Sequence, residues 1–196
     1  MTSAAIYFSD LLEPDARAVA RGLHRRDPNL LDRLIEQYQY RLFRYLFCLT
    51  RSRETAEDLF QETWIRVLER GHQYDGHSKF ETWLFAIARH LVIDLSRLKT
   101  AQSLDALTEM DSSRPFEPEA GGPSALDLVA SQEAGAQIQA SLDQLPVAYR
   151  EVLLLRFQED LRLEEIAAVL GAPLPTVKSR LYRGLEALRE LLGGAP

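Results

Sequence analysis

Apolar residues return every third or fourth position through most of this chain, a spacing that restricts it to α-helices packed on one another. In "NLLDRLIEQYQYRLFRYLFCLT" the period is sustained long enough for one long helix, expected to be capped near Asn29 after Pro28. "TAEDLFQETWIRVLERG" predicts the next, with Thr55 as cap, Asp58 three residues on, and Gly71 at its end. On this second helix Ala56, Phe60, Trp64 and Val67 share an inward stripe, while Asp58, Gln61, Glu62 and Glu69 fall on another, acidic face. By charge pattern alone such a face is more often simply solvated.

A third helix is predicted after the loop "HQYDGHSK", in the stretch "FETWLFAIARHLVIDLSRLK". Its core stripe is Phe80, Leu84, Ile87, Leu91, Leu95 and Leu98. A second face carries Trp83, His90, Asp94 and Arg97, flanked by Arg89 and Lys99. Aromatic rings stack on unpaired bases and cations neutralise phosphate, so this face is a candidate for holding separated single-stranded DNA. Taken alone the pattern is weak, because Trp83 fits a core position equally well.

The chain of 196 residues carries a net charge of −6, which argues against nucleic acid until the charge is located. Residues 1–100 hold 15 basic and 14 acidic residues, and residues 141–196 hold seven and eight. Residues 101–140 hold one arginine against seven acids. This acidic stretch also contains three prolines and adjacent glycines, a composition that does not bury enough surface to offset its ordering entropy. The expectation is an all-α protein of two small helical domains, residues 1–99 and 136–196, joined by a flexible acidic linker over 100–135 that holds a short helical piece near Leu126 to Val129.

The C-terminal segment has the most specific pattern. "LEEIAAVLGAPLPTVKSRLYRGLEALREL" predicts a helix from about Leu163 to Leu170, a stop at Gly171, and a restart at Pro175. Two short helices joined by so tight a turn are the layout of a helix-turn-helix, with Ile166, Ala167, Leu170, Val177 and Leu181 as its internal packing. The second helix would expose Thr176, Lys178, Ser179, Tyr182 and Arg183 near its start, the part of a recognition helix that reaches base edges in the major groove.

With these segments in view, the chain resembles the bacterial sigma factors of the extracytoplasmic-function type, which keep only regions two and four of the larger sigma factors. The resemblance rests on "AEDLFQETWIRVL", "FETWLFAIARHLVIDLSR", "LPVAYREVLLLRF" and "LEEIAAVLGAPLPTVKSRLYRGLEAL", and covers roughly Asn29 to Lys99 and Leu142 to Leu192. It implies that Asp58, Gln61 and Glu62 dock on core RNA polymerase. It also implies that Tyr74, His77, Ser78 and Lys79, with Trp83, Arg89, His90 and Arg97, open and read the promoter −10 element. Thr176, Lys178, Ser179, Tyr182 and Arg183 then correspond to readers of the −35 element. An anti-sigma partner is a further expectation of the resemblance. Two positions depart from it: His90 stands where many relatives have asparagine, and Arg162 where a Ser or Thr cap often begins the helix, with Asp160 as a substitute cap.

Other classes are restricted by what the chain lacks. Cys48 is the only cysteine and follows an apolar run, so no internal disulfide forms and an inert buried thiol is expected. No metal cluster, phosphate-binding glycine loop or nucleophile-and-base pair is apparent, so neither a cofactor nor an enzymatic activity is expected. No apolar run approaches the roughly 18 residues of a membrane span, so a cytoplasmic location without membrane insertion is expected. A stand-alone helix-turn-helix regulator of duplex DNA and a purely protein-binding adaptor remain the alternative readings.

Overall fold

The computed structural model describes residues 15–103 and 138–193. Helix α1 (Ala16–His24) is capped by Asp15, whose carboxylate accepts the Arg17 N–H, and it buries Val19, Ala20 and Leu23. Helix α2 (Pro28–Thr50) is capped two residues earlier than the sequence suggests: Asp27 is the cap, accepting the Asn29 N–H, and Pro28 takes the first helical position. That order suits proline, whose missing N–H would be unpaired there anyway. Arg51 ends α2 in the left-handed conformation (φ 56°), and Ser52 immediately caps α3 (Arg53–Arg70) by accepting the Thr55 N–H. Thr55 is thus inside the helix and not its cap. Leaving α2, the chain needs only Arg51 and Ser52 to reverse, so the nearer hydroxyl takes the capping role.

Gly71 does end α3, though with right-handed geometry, and the chain continues as a single 3-10 turn, Gly71–Gln73. The following loop leads into α4 (Phe80–Ser103), which runs on past the expected start of the linker. Phe80, Leu84 and Ile87 are buried as the stripe predicts, whereas Leu91 and Leu95 are half-buried and Leu98 is 59% exposed. The helix outruns the body it packs on, so its last apolar positions leave the core.

Residues 138–144 form a helix, α5, followed by α6 (Val147–Leu153), a π-helical turn (Leu154–Gln158), α7 (Leu163–Leu170) and α8 (Leu174–Gly193). The α7 boundaries agree with the punctuation of the sequence, and Gly171 is left-handed (φ 56°). Arg162 is the residue preceding α7, and its N–H is taken by the Glu165 carboxylate at 2.6 Å. Asp160 is therefore not the substitute cap; it is itself left-handed (φ 51°) and pairs with Arg156. The short helical piece expected at Leu126 to Val129 lies outside the described residues.

The two halves form one body. Leu34, Leu42, Leu46, Leu84 and Phe85 of the first half and Val152, Leu155, Leu161, Ile166 and Val177 of the second belong to one continuous buried cluster. Cys48 is buried with them, and burial pushes its thiol pKa up, keeping it protonated and inert. Arg150 seals the join. Its guanidinium, nearly inaccessible, donates to the carbonyls of Leu142, Asp143 and Leu145 and, across the interface, to Cys48 O at 2.9 Å. Those four acceptors hold the charge against the burial that lowers its pKa.

Two glycines give a paired test of backbone constraint. At Gly76 (φ +74°) an added Cβ would sit 2.8 Å from Ala16 O, whereas at Gly171 (φ +56°) nothing lies within 4 Å. Urea unfolding of Gly171→Ala should show a loss of about 1 kcal/mol from the left-handed backbone alone. Gly76→Ala should lose about 2–3 kcal/mol, because α1 must also move.

Candidate nucleic-acid interface

Helix α8 presents its predicted face to solvent. Val177 and Leu181 anchor it against α7, which turns Lys178, Ser179, Tyr182 and Arg183 outward and leaves Thr176 half-exposed. Tyr182 is 69% exposed, an aromatic ring with nothing to bury it in this conformation. The surface combines two cations, two hydroxyls and a ring on successive turns, the donor set a major groove accepts.

The loop and helix of the first half are less uniform. His77, Ser78, His90 and Arg97 are exposed. Tyr74 is only 1% exposed, and its hydroxyl donates to the Ser78 carbonyl at 2.6 Å. Burial, with Asp75, Asp15 and Glu81 nearby, raises its pKa to about 12, so it is a neutral donor. Its ring lies 5.2 Å from Trp83 and 5.8 Å from Phe80, so Tyr74 supports the loop from beneath while half-buried Trp83 forms the accessible edge of the cluster. His90 Nδ1 sits 2.6 Å from the Ala86 carbonyl, which fixes the ring along the helix.

Two of the cations expected on this face are engaged by the second half. Arg89 Nε donates to Glu151 Oε1 at 3.0 Å, and Tyr45 donates its hydroxyl to the same oxygen at 2.8 Å. Burial first, then the Glu151 charge, pushes the Tyr45 pKa well up, which keeps that proton on the phenol. Lys79 Nζ lies 3.7 Å from Glu81 and 3.9 Å from Glu165 of α7. In this closed arrangement the first helix of the helix-turn-helix thus lies beside the cations of the candidate single-strand face.

The tightest polar cluster was not visible in the sequence. Arg41 Nε and Arg44 Nη2, one turn apart on α2, converge on the Glu159 carboxylate at 2.7 and 3.1 Å. Arg41 also donates to the Glu159 carbonyl and reaches Glu81 at 3.5 Å. Burial works against the Arg41 charge, but Glu159 and Glu81 outweigh it and raise its pKa. No local pattern marks residues that meet across a separation of 118 in sequence.

On α3, Asp58 and Gln61 are exposed, and half-exposed Glu62 pairs with Arg66 at 2.7 Å. The same face carries Ile65 and Leu68, 47% and 46% exposed, which the acidic reading passed over. Leu68 borders an apolar cleft shared with Leu23, Pro28, Leu31 and Val67. The signal was available: two large apolar residues at helical spacing from Asp58 and Gln61 on a polar face.

Comparison with known proteins gives a consistent family. The sequence pattern of sigma-70 region 2 matches residues 34–102, and that of sigma-70 region 4 matches residues 135–188. The ECF RNA polymerase sigma factor SigE of Mycolicibacterium smegmatis is 37% identical over 161 residues, which span 82% of this chain and 61% of that protein. For SigW of Bacillus subtilis, also an ECF RNA polymerase sigma factor, the identity is 33%, over 88% of this chain and 94% of that protein. Among solved structures, the sigma factor RpoE of Bartonella quintana, in complex with the anti-sigma factor NepR, superposes with a TM-score of 0.69 at 23% identity over 83% of this chain and 96% of that one. CnrH in complex with the cytosolic domain of CnrY gives 0.66 at 20% identity, over 93% and 99%. At these identities the two structures speak for the fold.

The geometry separates recognition from stability. Alanine at Lys178, Tyr182 or Arg183 should leave the unfolding free energy within about 0.5 kcal/mol of the parent. Tyr45→Phe, which strips a buried donor from Glu151, should cost about 1–3 kcal/mol in the same urea titration.

Proposed function

The chain belongs to the sigma-70 family, in its extracytoplasmic-function group, and on that premise we propose how its surfaces are used. It binds core RNA polymerase, directs the enzyme to specific promoters and assists their opening. The observation that carries this reading is the presence of regions 2 and 4 in order on one chain, each with an exposed face of suitable chemistry. A stand-alone helix-turn-helix regulator would need only residues 135–188 and would leave α3 and α4 without a task.

In this account the α3 face holds the polymerase. Asp58, Gln61 and Glu62 supply polar contacts, and exposed Ile65 and Leu68 supply the apolar centre that a stable interface needs. His77, Ser78, Lys79, Trp83, Arg89, His90 and Arg97 serve the separated strand at the −10 element, with Tyr74 positioning the loop from below. Thr176, Lys178, Ser179, Tyr182 and Arg183 serve the −35 duplex.

The physical logic follows from charge. With a net charge of −6, the chain gains little from counterion release on DNA by itself. Polymerase would therefore hold the two domains, residues 1–99 and 136–196, at the promoter's span, so that two weak contacts act together through effective concentration. The acidic segment between them acts as the tether. The work is binding and opening, not catalysis on a substrate, and it places the chain in the cytoplasm with the enzyme it serves. Among the described residues no helix is long and apolar enough to cross a membrane. An anti-sigma factor, the partner class seen with the Bartonella quintana protein, is the regulator we carry over to this chain.

Initiation assays with purified chain, core polymerase and a promoter pool from the source genome test the reading. Transcripts are expected only with both proteins present. Asp58→Lys with Glu62→Lys should abolish polymerase binding. Lys178→Ala with Arg183→Ala should spare it and lose about 2–6 kcal/mol of −35 discrimination. Tight duplex binding without polymerase, and no initiation with it, would contradict the account.

A further inference from the structure

Arg41 and Arg44 lie outside the surfaces proposed for polymerase and DNA, yet together they form an anion site. Two guanidinium groups one turn apart on a rigid helix converge on one carboxylate, that of Glu159, whose side chain is 1% exposed. Convergent guanidinium donors on a tetrahedral or planar oxyanion are what phosphate recognition requires. The anion is brought by the other half of the molecule. Glu159 follows the π-helical turn Leu154–Gln158, and its N–H returns to the Leu154 carbonyl. That turn matters to its direction: eight residues of regular helix would leave Glu159 about 80° around from Glu151. The wider turn lessens the rotation, so both carboxylates face the first half.

The site is also continuous with the single-strand surface. Glu81 lies 3.5 Å from Arg41 and 3.7 Å from Lys79, so the arginine pair and the −10 loop share one carboxylate between them. Beyond lie Trp83 and Arg89, the latter held by Glu151. Each cation named on this path has a carboxylate of the second half against it: Glu159 for Arg41 and Arg44, Glu165 for Lys79, Glu151 for Arg89.

We propose that Glu159 is an internal substitute for a nucleic-acid phosphate: Arg41 and Arg44 form a backbone-phosphate site that Glu159 fills in the closed chain and that the separated promoter strand fills once region 4 has moved away. The proposal rests on the sigma reading for its biological ligand, but the site itself is testable without polymerase. Closing and strand binding are then competing uses of the same donors. Opening takes Glu159 from both arginines and leaves Arg41 only its longer contact with Glu81, and the incoming strand supplies the missing anion.

The test uses the full chain and a fluorescein-labelled twelve-nucleotide oligothymidine, titrated at several salt concentrations by anisotropy. Glu159→Gln removes the internal anion while keeping the side-chain shape, and the free chain should bind the probe about tenfold more tightly at low salt. Adding Arg41→Gln and Arg44→Gln to that variant should return the affinity to the parent's level and lower the slope of log K against log salt by about 1.4, the value for two phosphate contacts on a single strand. Small-angle scattering on each variant reports opening, and far-ultraviolet circular dichroism reports that the helices persist. If Glu159→Gln opens the chain without tighter probe binding, or if removing both arginines leaves the salt slope unchanged, the phosphate site is refuted. A loss of polymerase affinity on removing the arginines, with the probe unaffected, equally overturns it, since the anion would then be a polymerase carboxylate. Absence of core-polymerase binding by the parent chain would count against the sigma reading alone, while the oligothymidine result would still decide the site.

Discussion

Two carboxylates of the second half, Glu151 and Glu159, organise the polar contacts between the halves of this molecule. Glu159 receives Arg41 and Arg44, and Glu151 receives Arg89 and Tyr45. Both carboxylate side chains are almost fully inaccessible, so each would be costly to bury without such partners. The arginines differ from them in one respect that matters for function. Arg41 and Arg44 keep 31% and 49% of their side-chain surface exposed, and remain hydrated enough to survive separation of the halves. The closed state is thus held by pairs of which the arginine side tolerates water and the glutamate side stands on α6 and the π turn, exposed to solvent once the halves part.

Apolar packing adds to the polar cluster. The apolar cluster is continuous from α2 and α4 to α6 and α7, and Arg150 ties the turn before α6 to the last turn of α2 through Cys48 O. Each half nevertheless has its own helix-on-helix packing: α2, α3 and α4 in the first, α6, α7 and α8 in the second. Separation therefore exposes a surface and does not dismantle a domain. The asymmetry of what closing covers is informative. The α8 recognition face stays open to solvent, whereas Arg89 and Lys79 of the single-strand face are in contact with acids of α6 and α7. Under the proposed function, closing would act on strand capture and on the distance between the two DNA contacts.

Local signals were readable and long-range ones were not. Gly171 and the apolar period specify α7, because a left-handed glycine and a change of register are properties of neighbouring residues. Ser52 and Thr55 are both capping types, and only the two-residue reversal after α2 decides for Ser52 as the cap of α3. Leu98 satisfies the period of α4 yet is 59% exposed. Trp83 reads as core or surface, and it is both: half-buried, with its ring 5.2 Å from that of Tyr74. The Arg41–Glu159 and Tyr45–Glu151 pairs join residues more than a hundred positions apart, for which a single sequence holds no pattern. The acidic face of α3 is legible from its charges; Ile65 and Leu68 lie outside the inward stripe of Ala56, Phe60, Trp64 and Val67, and only their exposure shows that they share that face.

The proposed function calls for a chain that is closed when free and open when polymerase holds it. Spin labels at Gln37 on α2 and Glu186 on α8, both exposed, would report that directly in a Cys48→Ala background by pulsed dipolar spectroscopy. The free chain should give one narrow distance distribution, replaced by a longer one when core polymerase is added. A distribution that is already broad and long in the free chain, or one that stays short in the polymerase complex, would contradict the account.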